Sequence, residues 1–190
     1  MEKSYYHNPE TVEEYIRLTE NINGGELIAK LGTFLPEKSA VLELGSGPGN
    51  DWAILSEHFN VTGSDQSVEF IKHLHARYPE SSFLNLDART LDTNLPFDAI
   101  YSNKVLHHLT DAELNQSLSR QWEILEDQGI ICHSFWNGEG EDDFKGLYVN
   151  YHHEVGLKEK LEPQFEIIHL ELYAEFEDND SLFLIARKRA

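Results

Sequence analysis

Val41–Asp51 reads VLELGSGPGND, and this stretch decides the fold. An apolar strand ends in an acidic residue and then passes through three glycines at alternate positions, which let a backbone turn sharply and approach a ligand closely. A dinucleotide-binding fingerprint needs a third glycine at position 50, where Asn50 stands. Glu43 is poorly placed for a pyrophosphate and suits a cationic amino group. The alternative is a generic strand–helix turn with surface glycines.

Short apolar runs recur along the chain and alternate with helical stretches. The predicted strands are Ala40–Leu44, Val61–Gly63, Ser82–Leu86, Ala99–Ser102 and Gly129–Phe135. Such alternation predicts a parallel sheet with right-handed crossovers. Phe165–Phe176 and Ser181–Arg187 are separated only by Glu177–Asp180, so they predict an antiparallel hairpin. The fold class is therefore α/β: a Rossmann-like, open twisted sheet, mostly parallel, with a C-terminal antiparallel hairpin and helices on both faces.

Helix starts can be read from capping residues between these strands. Asn8 followed by Pro9 predicts one helix start, and Ser67 predicts a cap for Val68–Arg77. Asp111 is expected to cap a later helix that ends before Gly129 opens the next strand. The ligand of such a sheet is expected at the carboxyl ends of the strands.

Composition and charge restrict the function. The 190 residues suit one domain, and 15 basic against 34 acidic residues give a net charge of −19, which opposes binding to nucleic acid and to anionic membranes. No apolar run reaches the roughly 20 residues of a membrane span, and no signal peptide is evident. We expect a cytoplasmic monomer or homodimer. No metal site is expected, because the adjacent pairs His107-His108 and His152-His153 lack further ligands at the usual spacing.

Three further polar residues follow predicted strands. Asp65 comes 20 residues after Gly45 and can accept hydrogen bonds from ribose hydroxyls, or it can cap a helix, although Ser67 is the better cap. Asp87 can accept from an exocyclic amine while the next backbone N–H donates to a ring nitrogen, as in adenine recognition, or it can be a turn residue. Asn103 lies past the fourth strand, near the expected reacting centre.

With these motifs, the chain resembles the class I S-adenosylmethionine (SAM)-dependent methyltransferases. It is most similar to a small bacterial group (type 11/25-like) with a GPG-x-D loop, a D-x-R after the third strand and a GEGE stretch after the fifth. Two departures are Glu43, where aspartate is common, and Lys104, where small or apolar residues are usual. The cofactor-binding residues implied are Tyr15, Glu43, Gly45, Ser46, Gly47, Asp65, Gln66, Asp87, Ala88 and Asn103.

The resemblance also implies an activity and a domain layout. Residues 1–190 form a single domain that transfers methyl from SAM to a small molecule and leaves S-adenosylhomocysteine (SAH). Residues 1–35 are expected to be helices that cover the cofactor, and residues 137–160 are expected to form a lid; an acidic surface loop is the alternative to that lid. The expected acceptor contacts are Tyr6, His107, Glu139, Glu141 and Tyr148.

Several functions stay open at this point. The carboxylates of the lid weakly favour a cationic acceptor, and no general base can be assigned. A non-catalytic, SAM-binding regulatory or interaction protein is the main alternative. A nicotinamide reductase is opposed by the glycine spacing. A nucleic-acid methyltransferase is opposed by the charge, and residues 103–106 lack the Asn/Asp-Pro-Pro-Tyr/Phe segment of amine-methylating enzymes.

Overall fold

The computed structural model describes residues 5–144 and 146–190, and its strands confirm the predicted fold class. The strands are β1 Ala40–Leu44, β2 Asn60–Asp65, β3 Ser82–Asn85, β4 Phe97–Asn103, β5 Leu125–Trp136, β6 Glu141–Phe144, β7 Leu147–Asn150, β8 Phe165–Tyr173 and β9 Ser181–Lys188. The main sheet has the order β3-β2-β1-β4-β5-β9-β8. Strands β1 to β5 are parallel, and β9 is antiparallel to both β5 and β8. The predicted C-terminal hairpin is therefore correct.

Helices connect these strands and cover both faces of the sheet. They are α1 Pro9–Leu18, α2 Gly25–Leu31, α3 Asn50–His58, α4 Val68–Arg77, α5 Asp111–Ile124 and α6 Glu154–Leu161, with 3-10 helices at Tyr5–His7 and Leu106–His108. One hydrophobic core packs α2 and α3 against Val41 and Ala99, and another packs α5 and α6 against Leu42 and Ile100. Neighbouring strand residues face opposite cores because side chains alternate along a strand.

Two of the three predicted helix caps are confirmed. The side chain of Asn8 accepts a hydrogen bond from the amide of Glu10, and Ser67 accepts one from the amide of Phe70. The prediction for Asp111 is wrong, because Thr110 is the cap of α5. Thr110 accepts from the amide of Glu113 while the Glu113 carboxylate reaches back to the amide of Thr110, so two N–H groups are satisfied at once.

Two segments are more regular than the sequence indicates. Strand β5 begins at Leu125 rather than Gly129, because its pairing with β4 shifts register around Phe97 and Ala99. The expected flexible lid, residues 137–160, contains the antiparallel pair β6–β7 and the start of α6. The glycines and acidic residues of this segment do not form the apolar pattern that predicts strands, so the sequence does not indicate this hairpin.

Candidate active site

A cavity of about 300 Å³ lies at the carboxyl ends of β1 to β4. This is the switch point where the strand order reverses, the usual ligand position in open α/β sheets. Its walls come from the loops after these strands, from the N-terminal segment and from the β6–β7 region. The sequence-predicted residues on its wall are Tyr6, Tyr15, Gly45, Gly47, Asp65, Gln66, Asp87, Ala88, Asn103 and Tyr148.

The loop after β1 is shaped by close backbone approaches. Gly45 has φ +66°, and a Cβ at this position would lie 2.5 Å from Cγ2 of Val105. Asp65 accepts from the amide of Gly47 (3.0 Å) and from the amide of Ser67 (2.8 Å). The sequence suggested that a cap at Ser67 would leave Asp65 free for a ligand. Asp65 instead has two hydrogen-bond partners within the protein. Its carboxylate joins the loops after β1 and β2, and burial raises its pKa.

Glu43 and Ser46, both predicted cofactor ligands, are not on the cavity wall. The Ser46 hydroxyl accepts from the amide of Ser64 at 3.0 Å, which makes it a link between β1 and β2. Glu43 is only 2% exposed, and burial, then the charge of Asp51, raises its pKa well above the ordinary value. Among the described residues, none offers a hydrogen-bond partner to its Oε2. A buried carboxylate oxygen in this condition suits a ligand that brings its own donor.

Asp51 holds the N-terminal segment against the end of β4. Its carboxylate accepts from the amide of Gly24 (2.6 Å), the hydroxyl of Tyr101 (2.8 Å) and the amide group of Asn103 (3.0 Å). A Cβ on Gly24 would lie 2.4 Å from the Tyr101 hydroxyl, so a larger residue there would displace the side chains around Asp51. Asn103 also accepts from Ser134, which fixes its side chain on the cavity wall. Sequence reasoning missed the role of Asp51.

Asp87 is engaged by the arginine two residues later. The Nε of Arg89 lies 2.9 Å from each carboxylate oxygen of Asp87, and its Nη1 lies 3.1 Å from Glu113. The hydrogen bonds from Arg89 lower the pKa of Asp87. All three side chains line the cavity. The D-x-R motif is therefore an ion pair that fixes the adenine-loop candidate, a contact that the sequence did not predict.

Aromatic rings roof the cavity. Tyr6 lies 5.5 Å from Tyr15 and 6.0 Å from His108 between ring centroids, and Phe70 lies 5.9 Å from Tyr15. The sequence predicted both tyrosines as contacts. It missed Phe70 and His108, which no residue spacing singles out.

The two neighbouring histidines differ in position. His107 is buried beside His108 and Trp136, away from the cavity wall, although the sequence had favoured it as an acceptor contact. His108 lies on the wall, and its Nδ1 lies 2.7 Å from the carbonyl oxygen of Tyr148. Burial lowers the pKa of both rings.

The acidic residues expected in the lid lie elsewhere. Glu139 and Glu141 are exposed and do not line the cavity. Glu139 lies 3.2 Å from the Nε2 of His153. The structure therefore does not bring the predicted carboxylates to the acceptor region, and it lends no support to a preference for cationic acceptors.

Lys104, the unusual residue after Asn103, lies on the cavity wall, and its amine contacts residues of β5 and β9. The Nζ donates to the carbonyl of Phe135 (3.1 Å) and to the hydroxyl of Ser181 (2.6 Å). It also lies 3.4 Å from the ring centroid of Trp136. Burial lowers the pKa of Lys104 to about 8. Its contacts tie the end of β4 to β5 and β9.

Two further properties of residues 5–144 and 146–190 bear on the function. No cluster of three or more His, Cys, Asp or Glu side chains in this part could hold a metal ion. None of its helices is long and apolar enough to cross a bilayer. Cys132 is a buried free thiol in β5, and burial raises its pKa.

Comparison with known proteins identifies the central segment. Residues 41–129 match the family model described as "Methyltransferase domain". Trans-aconitate 2-methyltransferase of Methylobacterium radiotolerans is 35% identical over 111 residues, which are 56% of this chain and 41% of that protein. The enzyme of the same name from Azoarcus sp. (strain BH72) is 32% identical over 80 residues, 40% of this chain and 32% of that protein. The chain thus spans about a third to two-fifths of these relatives.

Solved structures extend the likeness of the fold to most of the chain. The Burkholderia thailandensis 1,6-didemethyltoxoflavin-N1-methyltransferase, with 1,6-didemethyltoxoflavin and SAH bound, has a TM-score of 0.75 at 24% identity, over 87% of this chain and 77% of that one. The N-methyltransferase NodS of Bradyrhizobium japonicum WM9, with SAH bound, has a TM-score of 0.73 at 17% identity, over 99% of this chain and 100% of that one.

Proposed function

We propose that this chain, which has the fold and the domain signature of the class I SAM-dependent methyltransferases, transfers the methyl group of SAM to a small-molecule acceptor. The observation that carries the proposal is the Oε2 of Glu43, a buried carboxylate oxygen that has no partner among the described residues. Glu43 is the last but one residue of β1, two positions before Gly45 on the cavity wall.

Charge distinguishes SAM from a dinucleotide at this place. Asp51 and Asp65 both raise the pKa of Glu43, so three carboxylates lie within electrostatic reach of one another. Such a cluster repels a pyrophosphate and attracts the ammonium and sulfonium groups of SAM. An ammonium that donates to Oε2 of Glu43 would pair a buried oxygen that the described residues leave without a partner.

The residues of this site fit the remaining parts of SAM. Asp65 can accept from ribose hydroxyls with lone pairs that its two backbone contacts leave available. The backbone amide of Ala88 would donate to the adenine ring, while Arg89 holds the carboxylate of Asp87. SAM supplies an activated methyl group on a sulfonium, so the protein contributes orientation and the exclusion of water.

A small acceptor is supported by the cavity and by the relatives. A cavity of about 300 Å³ lined in part by aromatic rings suits a small molecule, and the net charge of −19 opposes nucleic acid. The names of the relatives, trans-aconitate 2-methyltransferase and 1,6-didemethyltoxoflavin-N1-methyltransferase, refer to small molecules. The proposal includes action in the cytoplasm, as a monomer or homodimer.

Calorimetry with SAM and SAH tests the cofactor. Both should bind the wild-type chain, and Asp65→Asn should weaken binding because the amide no longer offers two anionic acceptors. Asp92→Asn, at an exposed position outside the cavity, is the matched control and should bind normally. NADH should not bind. Absence of SAH binding by the wild type would contradict the proposal.

Turnover separates an enzyme from a SAM-binding regulator. SAM should be converted to SAH in the presence of acceptors drawn from a panel of small aromatic and carboxylic compounds. SAH binding without conversion of SAM by any acceptor in a broad metabolite screen would favour the non-catalytic alternative.

A further inference from the structure

His108 occupies the place on the cavity wall where a reacting centre is expected. The 3-10 helix Leu106–His108 follows β4 and Asn103, at the middle of the sheet. The residues that suit ribose and adenine follow β2 and β3, on one side of this point. His108 therefore lies toward the acceptor end of the cavity, 6.0 Å from the ring of Tyr6.

The hydrogen bond to β7 fixes the tautomer of His108. Its Nδ1 lies 2.7 Å from the carbonyl oxygen of Tyr148. A carbonyl oxygen can only accept, so Nδ1 carries the proton, and the neutral ring has its lone pair on Nε2. In the described ranges, 5–144 and 146–190, Nε2 is engaged in no hydrogen bond. A ring held in this way, on a residue that lines the cavity, has a basic nitrogen available.

Burial keeps this base in its neutral form. It lowers the pKa of His108, an effect only partly offset by the Tyr148 carbonyl. The ring therefore stays neutral at pH 7. The titratable or charged groups near it are Tyr6, His107 and Tyr148, and Asp65, Asp87, Arg89, Lys104 and Glu113 line the same cavity.

We propose that His108 is the general base of the methyl transfer and that the acceptor is a planar molecule with a weakly acidic O–H or ring N–H. This inference rests on the proposed function. The acceptor gives its proton to Nε2, and its freed electron pair forms the new bond to the methyl carbon. The C–S bond breaks with its pair going to sulfur, which leaves neutral SAH and an imidazolium that later releases its proton to water.

Acidity decides which acceptors such a base can serve. A phenol with pKa about 10 lies about 3.5 units above an ordinary histidine, which corresponds to about 5 kcal/mol for proton transfer. An aliphatic hydroxyl resembles water, with pKa about 16, and the corresponding difference is about 13 kcal/mol. His108, whose pKa is lowered, can assist the first class and not the second. The rings of Tyr6, Tyr15 and Phe70 suit a planar partner.

Nitrogen NMR tests the base without relying on turnover. In ¹⁵N-histidine-labelled, SAH-loaded protein, His108 should show protonated Nδ1 and unprotonated Nε2 at pH 7. Addition of phenol, which keeps its proton at pH 7, should shift the Nε2 resonance toward the protonated form, because the phenol donates to it. A ring protonated on Nε2, or a phenol titration that leaves the resonance unchanged, would overturn the proposal while SAH binding, and with it the proposed cofactor, still stood.

Matched asparagine variants test the catalytic role. Asparagine at position 108 keeps a donor near the Nδ1 position and removes the base. His108→Asn should bind SAH normally and methylate phenol about 10²–10⁴-fold more slowly. It should also lose the fall in rate on acidification that we expect of the wild type, as the ring of His108 takes up a proton. His107→Asn disturbs the same 3-10 helix and should retain that fall. Equal rates for His108→Asn and wild type, or binding of phenol without its methylation, would overturn the proposal.

Discussion

The buried polar chain behind β4 and β5 differs from the cavity wall in how completely its atoms are paired. Ser102 lies 2.8 Å from Nδ1 of His133, whose Nε2 lies 2.8 Å from Oε1 of Gln121. Gln121 donates to Ser117 at 3.1 Å, and Ser117 donates to the carbonyl of Ala88 at 2.6 Å. We call these five residues the buried relay. Each of its polar side chains has a hydrogen-bond partner inside the protein, and Ala88 takes part through its carbonyl oxygen.

At the ligand end of the sheet, the buried Oε2 of Glu43 has no hydrogen-bond partner among the described residues. His108 is only half-buried, and its one hydrogen bond in that part of the chain is made by Nδ1. Glu43 and His133 are both almost completely inaccessible, so burial alone does not separate a structural polar group from a ligand-binding one. Hydrogen bonding separates Glu43 from His133, because both ring nitrogens of His133 have partners while one carboxylate oxygen of Glu43 has none and gains from a ligand that pairs it.

The largest effect is expected from breaking the buried relay at its centre. Gln121→Leu removes the acceptor of His133 and the donor to Ser117, so two buried groups lose partners. We expect the free energy of unfolding to fall by about 3 kcal/mol. Urea unfolding measures it. Gln116→Leu, at an exposed position of the same helix, is the control and should change the stability little.

Glu43→Gln is expected to weaken SAH binding and to stabilise the ligand-free protein. Loss of a charged acceptor should weaken SAH binding about 10- to 100-fold, from about 1.5–3 kcal/mol for a hydrogen bond to a charged group. The ligand-free protein should gain stability at pH 8, because the raised pKa of Glu43 means that its folded form loses stability as pH rises above 4.5. Calorimetry and thermal melts measure both. A variant that is less stable at pH 8 and binds SAH normally would contradict this prediction. It would show that Glu43 has a structural role like that of the buried relay.

Patterns within one element explain what the sequence predicted correctly. The strands β1 to β4 each contain a short apolar stretch, and the glycine turn and Asp65 lie at the ends of strands that meet at one edge of the sheet. Predictions from local patterns also fail where a contact or a register shift, and not the pattern, decides between neighbouring residues. Asp111 and Thr110 are both good caps, and only the return contact from Glu113 selects Thr110. The shifted register at Phe97 moves the start of β5 without any mark in the sequence.

Contacts between distant segments explain what was missed. The role of Asp51 depends on its hydrogen bonds with Gly24 and Tyr101, which are 27 and 50 residues away. The choice between His107 and His108 depends on a carbonyl 40 residues further along the chain. Neither pairing has a periodic signature, so composition and spacing could identify the cofactor class but not the acceptor end of the cavity.

The buried relay should contribute to the slope of the unfolding free energy against pH on acidification. Burial lowers the pKa of His133 to about 3, whereas the unfolded chain takes up this proton near 6.5. Between these values the unfolded state binds more protons, so stability falls as pH decreases, by at most about 1.4 kcal/mol per pH unit. His133→Leu is less stable throughout but should lose this part of the slope. Urea unfolding at pH 7, 6 and 5 measures it, and parallel slopes for the two proteins would contradict the pairing described.

The smallest effect is expected at the end of the relay. Ser102→Ala removes the donor to Nδ1 of His133 and leaves one buried acceptor unpaired. An unpaired acceptor costs less than the two interrupted groups of Gln121→Leu, and we expect a loss of about 1 kcal/mol in unfolding free energy. Ser119→Ala, exposed on α5, is the matched control. SAH affinity should stay unchanged in Ser102→Ala, because Ala88 is still held by Ser117. A drop in SAH affinity larger than the drop in stability would show that the relay belongs to the binding site, and the contrast between the two regions would then fail.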